Sequence, residues 1–235
     1  MNSIFIAASG AASQAASLDT VSNNLANLDT PGYRRFINVL DSVQGNGSPY
    51  QYASTAQTSQ IDMAQGPLQD TGNPLDVGIT GPAFLTVQAA DGSTAYTRNG
   101  SLSVSEDGTL MAAGHPVIGD GGSPILVQPG PLTIGSDGAV SVAGQPMGRL
   151  GLADPTDITM IPKGTSLYLP SDASTLPPAT NSQVHQGMLE HSTGTEMGEM
   201  VATMNAMRNY ESAMNTVHSI DSNQSQAIQA FTLQA

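Results

Sequence analysis

The feature that most constrains this chain is a heptad spacing of apolar and small residues at both of its ends. Within residues 2–28 such positions are separated alternately by four and three residues: Ile4, Ala8, Ala11, Ala15, Leu18, Ser22 and Leu25. This spacing places their side chains on one face of an α-helix. Because most of these side chains are small, they bury little apolar area, and the helix needs a partner to be stable.

A second stripe begins near Thr195. The residues that recur at heptad spacing, in two neighbouring positions of one frame, are Met200, Met207, Met214, Tyr210, Val217 and Phe231. A methionine-rich stripe suits packing against neighbours of irregular shape. A plain amphipathic helix packed on the rest of the chain would give a similar pattern. Because both ends carry a stripe, we expect the two helices to pair as a coiled coil.

The segment between the helices has the alternation of short apolar runs and turn-forming residues that is typical of an all-β domain. Short apolar runs alternate with four dipeptides that favour hairpin turns, namely Asp91-Gly92, Asn99-Gly100, Asp107-Gly108 and Asp137-Gly138. The expected core residues are Val87, Leu102, Val104, Leu110, Val117, Ile118, Ile125, Val127, Ile134, Leu150 and Leu152. Glycine and proline recur too often between these residues for helices to form.

These patterns predict an α+β fold with four segments. Residues 1–36 form an N-terminal helical segment, 37–74 an extended connector, 75–184 a central β domain of short hairpin-connected strands, and 185–235 a C-terminal helical segment. The first helix should end near Asn27, because Thr30 precedes a proline and Pro31-Gly32 is typical of a turn.

Charge narrows the range of partners. The formal net charge is −13 with six Lys and Arg residues, so the chain lacks the basic surface that nucleic acids or anionic membranes require. No segment is long enough for a transmembrane helix, and no basic residue precedes Arg34, so we expect no cleaved signal peptide and no membrane insertion.

The sequence also lacks recognisable catalytic and metal-binding motifs. It has no cysteine, and the four histidines, at 115, 185, 191 and 218, do not have the spacing of metal ligands. The Asp-Gly pairs lack the other acids of a calcium loop, and there is no phosphate loop or nucleophile elbow. We therefore expect a protein with no enzymatic activity, no cofactor and no metal.

Two other functions remain open on the residues alone. One is a secreted adhesin or carbohydrate-binding β module with helical oligomerisation tails, for which Phe84, Tyr96 and Tyr168 would have to form an aromatic surface. The other is a hydrolase that uses His115 with Asp120, although no nucleophile can be assigned to it.

The most specific stretch is Ser22–Tyr33, which reads SNNLANLDTPGY. It closely resembles the N-terminal signature of bacterial flagellar rod and hook proteins. Other stretches that resemble this family lie at 65–68, 71–77, 96–100, 107–108, 114–117, 186–190, 199–201 and 209–211, so the resemblance runs over nearly the whole chain. The short length and single β domain are most similar to members of the proximal rod, with the distal rod as the alternative.

The resemblance implies a structural subunit of the basal body, with specific partners. Members of this family are exported unfolded and uncleaved through the flagellar type III apparatus. They stack helically with copies of themselves and with other rod subunits, and their terminal helices line the inner tube of the rod. The rod crosses the periplasm and transmits torque to the hook.

The expected assembly interface combines the heptad residues with those of the signature. Its members are Ile4, Ala8, Ala11, Ala15, Leu18, Val21, Asn23, Asn24, Leu25, Asn27, Thr30, Pro31, Gly32, Tyr33, Met200, Val201, Met204, Met207, Tyr210, Glu211, Met214 and Val217. The side-chain amides of Asn23, Asn24 and Asn27 are expected to set the register by hydrogen bonding to neighbouring backbone. Alternatively, these asparagines only weaken the end of the helix before Pro31.

Overall fold

A computed structural model describes residues 2–43, 54–156, 158–172 and 175–232 of the chain. In these ranges two helices flank seventeen short strands. In chain order the elements are α1 (Asn2–Ala26), β1 (Phe36–Val43), β2 (Ser54–Ile61), β3 (Leu68–Asp70), β4 (Val77–Thr80), β5 (Phe84–Gln88), β6 (Thr94–Thr97), β7 (Leu102–Val104), β8 (Leu110–Ala112), β9 (His115–Pro116), β10 (Leu132–Ile134), β11 (Ala139–Val142), β12 (Gln145–Arg149), β13 (Leu152–Ala153), β14 (Met160–Pro162), β15 (Leu167–Pro170), β16 (Gln183–Gln186), β17 (Met188–Glu190) and α2 (Glu196–Thr232). The predicted α+β class, with a helix at each end of a β-rich region, is confirmed.

The chain alternates between two compact units. The helical unit comprises Met1–Ala26, Phe36–Gln60 and Thr195–Ala235. The β unit comprises Asn27–Arg35 and Ile61–Gly194. The polypeptide therefore passes from one unit to the other four times, after residues 26, 35, 60 and 194.

In the helical unit, α1 packs against α2, and β1 pairs with β2 in a separate two-stranded sheet. The helix α1 ends at Ala26, close to the predicted end, before the segment that leads to Pro31. Glu196 and Glu199 lie in the first turn of α2, where acidic side chains interact favourably with the helix dipole. Neither described helix is both long and apolar enough to cross a membrane.

The β unit is built from five antiparallel sheets. The largest has the strand order β13-β5-β6-β15-β14. Two three-stranded sheets, β7-β8-β9 and β10-β11-β12, are consecutive meanders, and the pairs β16-β4 and β17-β3 join distant parts of the chain. Isolated bridges such as Val87 with Val117 and Thr109 with Leu126 connect strands and loops between the sheets.

Most of the predicted core lies inside the β unit. The fully buried members are Val87, Leu102, Leu110, Val117, Ile125, Val127, Ile134 and Leu150. Ile118 and Leu152 are half-buried. The prediction for Val104 is wrong, because this residue is 44% exposed and faces an open groove that Pro131 and Leu132 also line.

Three of the four predicted hairpin turns are confirmed. Asp91-Gly92 joins β5 to β6, Asp107-Gly108 joins β7 to β8, and Asp137-Gly138 joins β10 to β11. The glycine of each pair has a φ between 79° and 83°, a conformation that glycine adopts without steric cost.

Asn99-Gly100 is not a hairpin turn, which corrects the sequence prediction. It connects β6 to β7, which belong to different sheets. Val77 N–H donates to the Gly100 carbonyl at 2.9 Å, and a Cβ at Gly100 would overlap the Val77 carbonyl oxygen. The glycine here permits close backbone approach and does not serve a turn.

The boundaries of the units differ from the predicted segments. The proposed connector 37–74 contains β2, β3 and all of β1 except Phe36, and β3 pairs with β17. Residues 27–35, predicted to belong to the N-terminal helical segment, are part of the β unit. The physical reason is that β2 and β3 are mostly polar and carry little apolar periodicity, and that the pairing of β3 with the distant β17 leaves no local signal.

Candidate assembly interface

Helix α1 turns part of its predicted stripe inward. Ala11 is buried. Ala15, Leu18, Val21 and Leu25 are half-buried, whereas Ala8 and Ser22 are exposed. The side chain of Ile4 lies outside the described residues. The inward residues are small or medium-sized, so α1 contributes a narrow apolar surface to the helical unit.

Asn24 ties the end of α1 to the start of β1. Its Nδ2 donates to the Phe36 carbonyl at 2.9 Å, and the Phe36 N–H donates to Oδ1 at 2.8 Å. The buried amide thus pairs with the backbone as a neighbouring strand would, and fixes where β1 begins relative to the helix. Asn23 is exposed, and Asn27 accepts a hydrogen bond from the Thr30 hydroxyl at 3.4 Å.

The inner stripe of α2 has heptad spacing, but one of its two positions differs from the predicted frame. The side chains that are buried or half-buried along it are Glu199, Thr203, Ala206, Tyr210, Ala213, Val217, Ile220 and Gln224. Tyr210 and Val217 were in the predicted frame, whereas Glu199, Ala206, Ala213 and Ile220 occupy the other position in place of the methionines. Small side chains let α2 approach a neighbouring helix closely, which accounts for their inward placement.

Five apolar side chains of α2 point away from that stripe, and we call them the methionine face. They are Met197 at 77% exposure, Met200, Val201, Met204 and Met207, the last four at 47–51%. Successive residues of an α-helix are rotated by about 100°, so this face covers an arc of roughly 120° on nearly the opposite side from the inner stripe. Glu211 is also exposed, and Met214 is half-buried.

The signature residues Gly32 and Tyr33 are buried within the β unit. The Gly32 N–H donates to the Glu190 carbonyl at 2.7 Å. Gly32 has a φ of 67°, and a Cβ there would overlap the Arg98 carbonyl. Both residues were predicted for the intersubunit interface, and the structure gives them a role in packing within the subunit.

Next to Gly32 lies a buried ionic cluster, formed by Arg34, Arg98 and Glu190. Arg34 Nη2 contacts Glu190 Oε1 at 3.0 Å, and Arg98 Nε contacts Oε2 at 2.6 Å. The Gly66 N–H also donates to Oε1 at 2.9 Å. One carboxylate therefore joins three separate segments of the chain.

The remaining donors of the two guanidinium groups bind mainly to backbone carbonyls. Arg98 donates to Ile79 at 2.9 Å, to Gly81 at 2.7 Å, and to Ala83, while Arg34 donates to Ala64. Burial lowers the pKa of Arg34, and the positive charge of Arg98 adds to this, while Glu190 opposes it. Removing the carboxylate would leave two buried cations without their counter-ion.

An aromatic pair lies against this cluster. The Arg34 and Arg98 guanidinium carbons lie 6.0 Å and 5.7 Å from the centre of the Phe84 ring. Phe84 packs edge-on to Tyr168, whose hydroxyl accepts a hydrogen bond from the backbone N–H of Arg34 at 3.0 Å. Burial raises the pKa of Tyr168.

Arg35 makes hydrogen bonds to two other segments of the β unit. Its Nε donates to Asp62 at 2.8 Å, and its N–H donates to the Thr193 hydroxyl at 3.0 Å. Partial burial raises the pKa of Asp62, but the hydrogen bonds from Arg35 and from the Ala64 N–H outweigh it, so this pKa lies below its ordinary value. Segments near residues 35, 62 and 193 are thereby held together.

The aromatic surface that a carbohydrate-binding module would need is not formed. Phe84, Tyr96 and Tyr168 are at most 2% exposed, so they form no aromatic surface for a carbohydrate. His115 is half-buried in β9, and the Asp120 carboxylate lies 3.9 Å from Arg149. Within the described ranges, no three His, Cys, Asp or Glu side chains come together in a way that could hold a metal ion.

Sequence reasoning missed Arg34, Arg98 and Glu190. The chain has six Lys and Arg residues, and two of them are buried in one cluster. The scarcity of basic residues is the signal in the sequence that could have pointed to this cluster. In a chain with so few of them, each is expected to have a specific structural role.

Comparison with known protein families agrees with the resemblance in the sequence. A family model described as "Flagella basal body rod protein" matches residues 4–34. A second, described as "Flagellar hook protein FlgE/F/G D1 domain", matches residues 78–142. The first match covers most of α1 and the signature, and the second lies within the β unit.

Curated relatives match along almost the full length of the chain. The flagellar basal-body rod protein FlgF of Escherichia coli is 35% identical, with 99% of this chain and 100% of the relative covered. FlgF of Caulobacter vibrioides is 32% identical, with 90% of each chain covered. The flagellar basal-body rod protein FlgG of Agrobacterium fabrum is 28% identical, with 94% of this chain and 96% of the relative covered.

Proposed function

This chain belongs to the family of flagellar basal-body rod proteins, and from that premise we propose that it is a proximal-rod subunit that polymerises through its terminal helices. It is a structural subunit of the basal-body rod and assembles with other rod subunits. The proximal position is supported by the short chain and by identities of 32–35% to relatives named FlgF, against 27–30% to those named FlgG.

The observation that carries this proposal is that α2 has two apolar faces. The inner stripe packs within the helical unit, where α1 contacts α2, which supports a coiled-coil pairing of the two helices, and the methionine face remains exposed. A contiguous exposed apolar surface on a protein with 11% charged residues marks a contact with another protein. The occupant is the terminal helix of a neighbouring rod subunit, since flexible methionines pack well against helices that are related but not identical.

The rest of the predicted interface divides between two roles. Ala8, Asn23 and Glu211 are exposed, and we propose that they contact neighbouring subunits together with the methionine face. Asn24 sets the register between α1 and β1 inside the subunit, which in turn positions the exposed residues of α1. The order of the helical unit is coupled to assembly, because each contact with a neighbour adds apolar burial that the unit lacks by itself.

Membership of the family supports a proposal for export and location. The subunit travels unfolded through the flagellar type III apparatus without cleavage and occupies the part of the basal body that spans the periplasm. There it is part of the axial shaft that carries torque. It needs no cofactor and catalyses no reaction, and its net charge of −13 disfavours contact with nucleic acid.

A charge placed in the methionine face tests the proposal. In a strain that lacks the gene, Met204→Lys should abolish swimming and prevent incorporation into purified basal bodies, because a lysine cannot be buried against an apolar helix without a large cost. Met63→Lys is the matched control, since Met63 is 44% exposed and belongs to the β unit. Full motility of Met204→Lys would refute assembly through this face.

The rod position has its own test. Electron microscopy of basal bodies from the deletion strain should reveal a rod that stops before its distal part. A rod complete except for its last distal section would assign the subunit to the distal rod instead.

A further inference from the structure

We infer that the methionine face is a redox-sensitive modification site, at which oxidation of the free subunit blocks its entry into the rod. The inference rests on the proposed function, because it requires that this face is covered during assembly. The residues concerned are Met197, Met200, Met204 and Met207. The chemical partner is a peroxide or a hypohalous acid.

The distribution of sulfur in the chain singles out this face. The sequence has no cysteine and 11 methionines, so the thioether is its only sulfur group. Five methionines lie in α2, and four of them form the exposed face. By contrast, Met160 is 5% exposed within the β unit. Accessible thioethers react first, so the methionine face concentrates the oxidisable groups of the subunit on one surface.

The reaction balances with the oxidant alone. The thioether sulfur takes one oxygen atom from hydrogen peroxide, the O–O bond breaks, and water leaves. Sulfur loses two electrons and peroxide gains them, and the product is methionine sulfoxide. The sulfoxide is polar and is a strong hydrogen-bond acceptor, so burying it against an apolar helix is unfavourable.

The spacing of the four methionines increases the effect of oxidation on assembly. The four sulfur-bearing side chains follow one another at intervals of three, four and three residues, so they share a single contact surface. A single sulfoxide therefore disturbs the same interface as the other three would. Oxidation also leaves the inner stripe untouched, since small residues such as Ala206 and Ala213 occupy it together with Ile220. The modified subunit should keep its fold and lose its partner.

Peptide mass spectrometry tests the accessibility. In the purified full-length subunit treated with hydrogen peroxide, the four methionines should oxidise at least about tenfold faster than Met160. In purified basal bodies the same four should react at least about tenfold more slowly than in the free subunit, because a neighbour covers them. Equal rates in the two samples would overturn the inference.

A competition experiment tests the consequence. Wild type and a variant with all four methionines changed to leucine are expressed together in a deletion strain, with and without sublethal peroxide. Their ratio in purified basal bodies is then measured from peptides of different mass. Leucine keeps the face apolar and cannot be oxidised, so peroxide should shift the ratio towards the variant by at least about tenfold. An unchanged ratio would overturn the inference.

Two further arms separate the possible failures. Met204→Leu alone replaces the quadruple variant if the latter does not fold, and should shift the ratio in the same direction but by less, because three oxidisable methionines remain in the face. Met63→Leu should cause no shift, since Met63 is exposed outside α2. If neither wild type nor variant enters basal bodies even without peroxide, it is the proposed function that fails.

Discussion

The two units of this subunit are stabilised in different ways. Among the side chains that the structure describes, the apolar ones fully buried in the helical unit are Ala11 and Ala206. The β unit buries large aliphatic side chains, the aromatic rings of Tyr33, Phe84, Tyr96 and Tyr168, and the Arg34–Arg98–Glu190 cluster. One unit has a thin interior of small side chains, and the other has a core of ordinary size.

This difference assigns separate tasks to the two units. Burying an alanine methyl contributes about 0.8 kcal/mol, against about 1.5–3 kcal/mol for a leucine or phenylalanine side chain. We therefore expect the helical unit to have little stability of its own, and to gain stability if neighbours cover the methionine face as proposed. Because of its larger core, we expect the β unit to be stable without assembly. Hydrogen exchange of the free subunit should accordingly be slow in the β unit and fast in α1 and α2.

The largest expected effect comes from the buried cluster. Glu190→Gln leaves Arg34 and Arg98 buried without their counter-ion and should destabilise the β unit by about 3–5 kcal/mol. Hydrogen exchange measured by mass spectrometry should show lost protection throughout residues 61–194. Glu106→Gln, at an exposed hairpin tip, should change nothing. An unaltered β unit in Glu190→Gln would break the comparison, because its core would then not depend on the cluster.

A pair of glycines separates backbone strain from close packing. Gly32 and Gly72 both have a φ of 67°, but a Cβ would overlap Arg98 at Gly32 and meet no atom within 4 Å at Gly72. Gly72→Ala should cost about 1 kcal/mol and Gly32→Ala about 3 kcal/mol in urea unfolding of the β unit. Equal losses would mean that the signature segment does not pack closely on Arg98.

The helical unit has one polar contact strong enough to test. Asn24→Ala removes both hydrogen bonds to Phe36 and leaves a backbone N–H and a carbonyl without these partners, at a cost of about 1–3 kcal/mol. Exchange should accelerate in α1 and β1 while the β unit stays protected. Ser22→Ala, at an exposed position two residues earlier, is the control. Loss of protection in the β unit as well would show that the two units unfold together.

The smallest expected effect is a gain in stability. Ala143-Gly144 forms the turn between β11 and β12 with φ values of 49° and 81°. Among residues other than glycine, asparagine adopts a positive φ more readily than alanine. Ala143→Asn should stabilise the β unit by about 0.5–1 kcal/mol, measured as a higher midpoint of urea unfolding. Gln145→Asn, in the adjoining strand, should not. A lower midpoint for Ala143→Asn would contradict this turn geometry.

Local patterns in the sequence were enough to predict the helices, three of the four turns and most of the core. The turn at Ala143-Gly144 was missed because alanine carries no preference for positive φ. The prediction of the inner stripe of α2 was off by one residue at one of its two heptad positions. Met200 and Met207 repeat at the same seven-residue interval as Glu199 and Ala206, so the spacing fits either pair. Periodicity alone does not distinguish the exposed methionine face from the inner stripe that packs within the helical unit.

The buried cluster could not be predicted because its partners are far apart in the chain. Arg98 and Glu190 are separated by 92 residues, and neither lies in a motif that marks it as buried. The same holds for Gly100, whose role depends on Val77 in another strand. Such contacts are set by tertiary packing, which leaves no trace in local composition.

The four passages of the polypeptide between the two units have a mechanical consequence. Tension that travels along the backbone from one unit to the other divides among four covalent connections rather than running through a single linker. One scission at any of these points leaves three connections intact. For a part of a shaft that is twisted over many revolutions, we expect this redundancy to keep the two units of a nicked subunit connected.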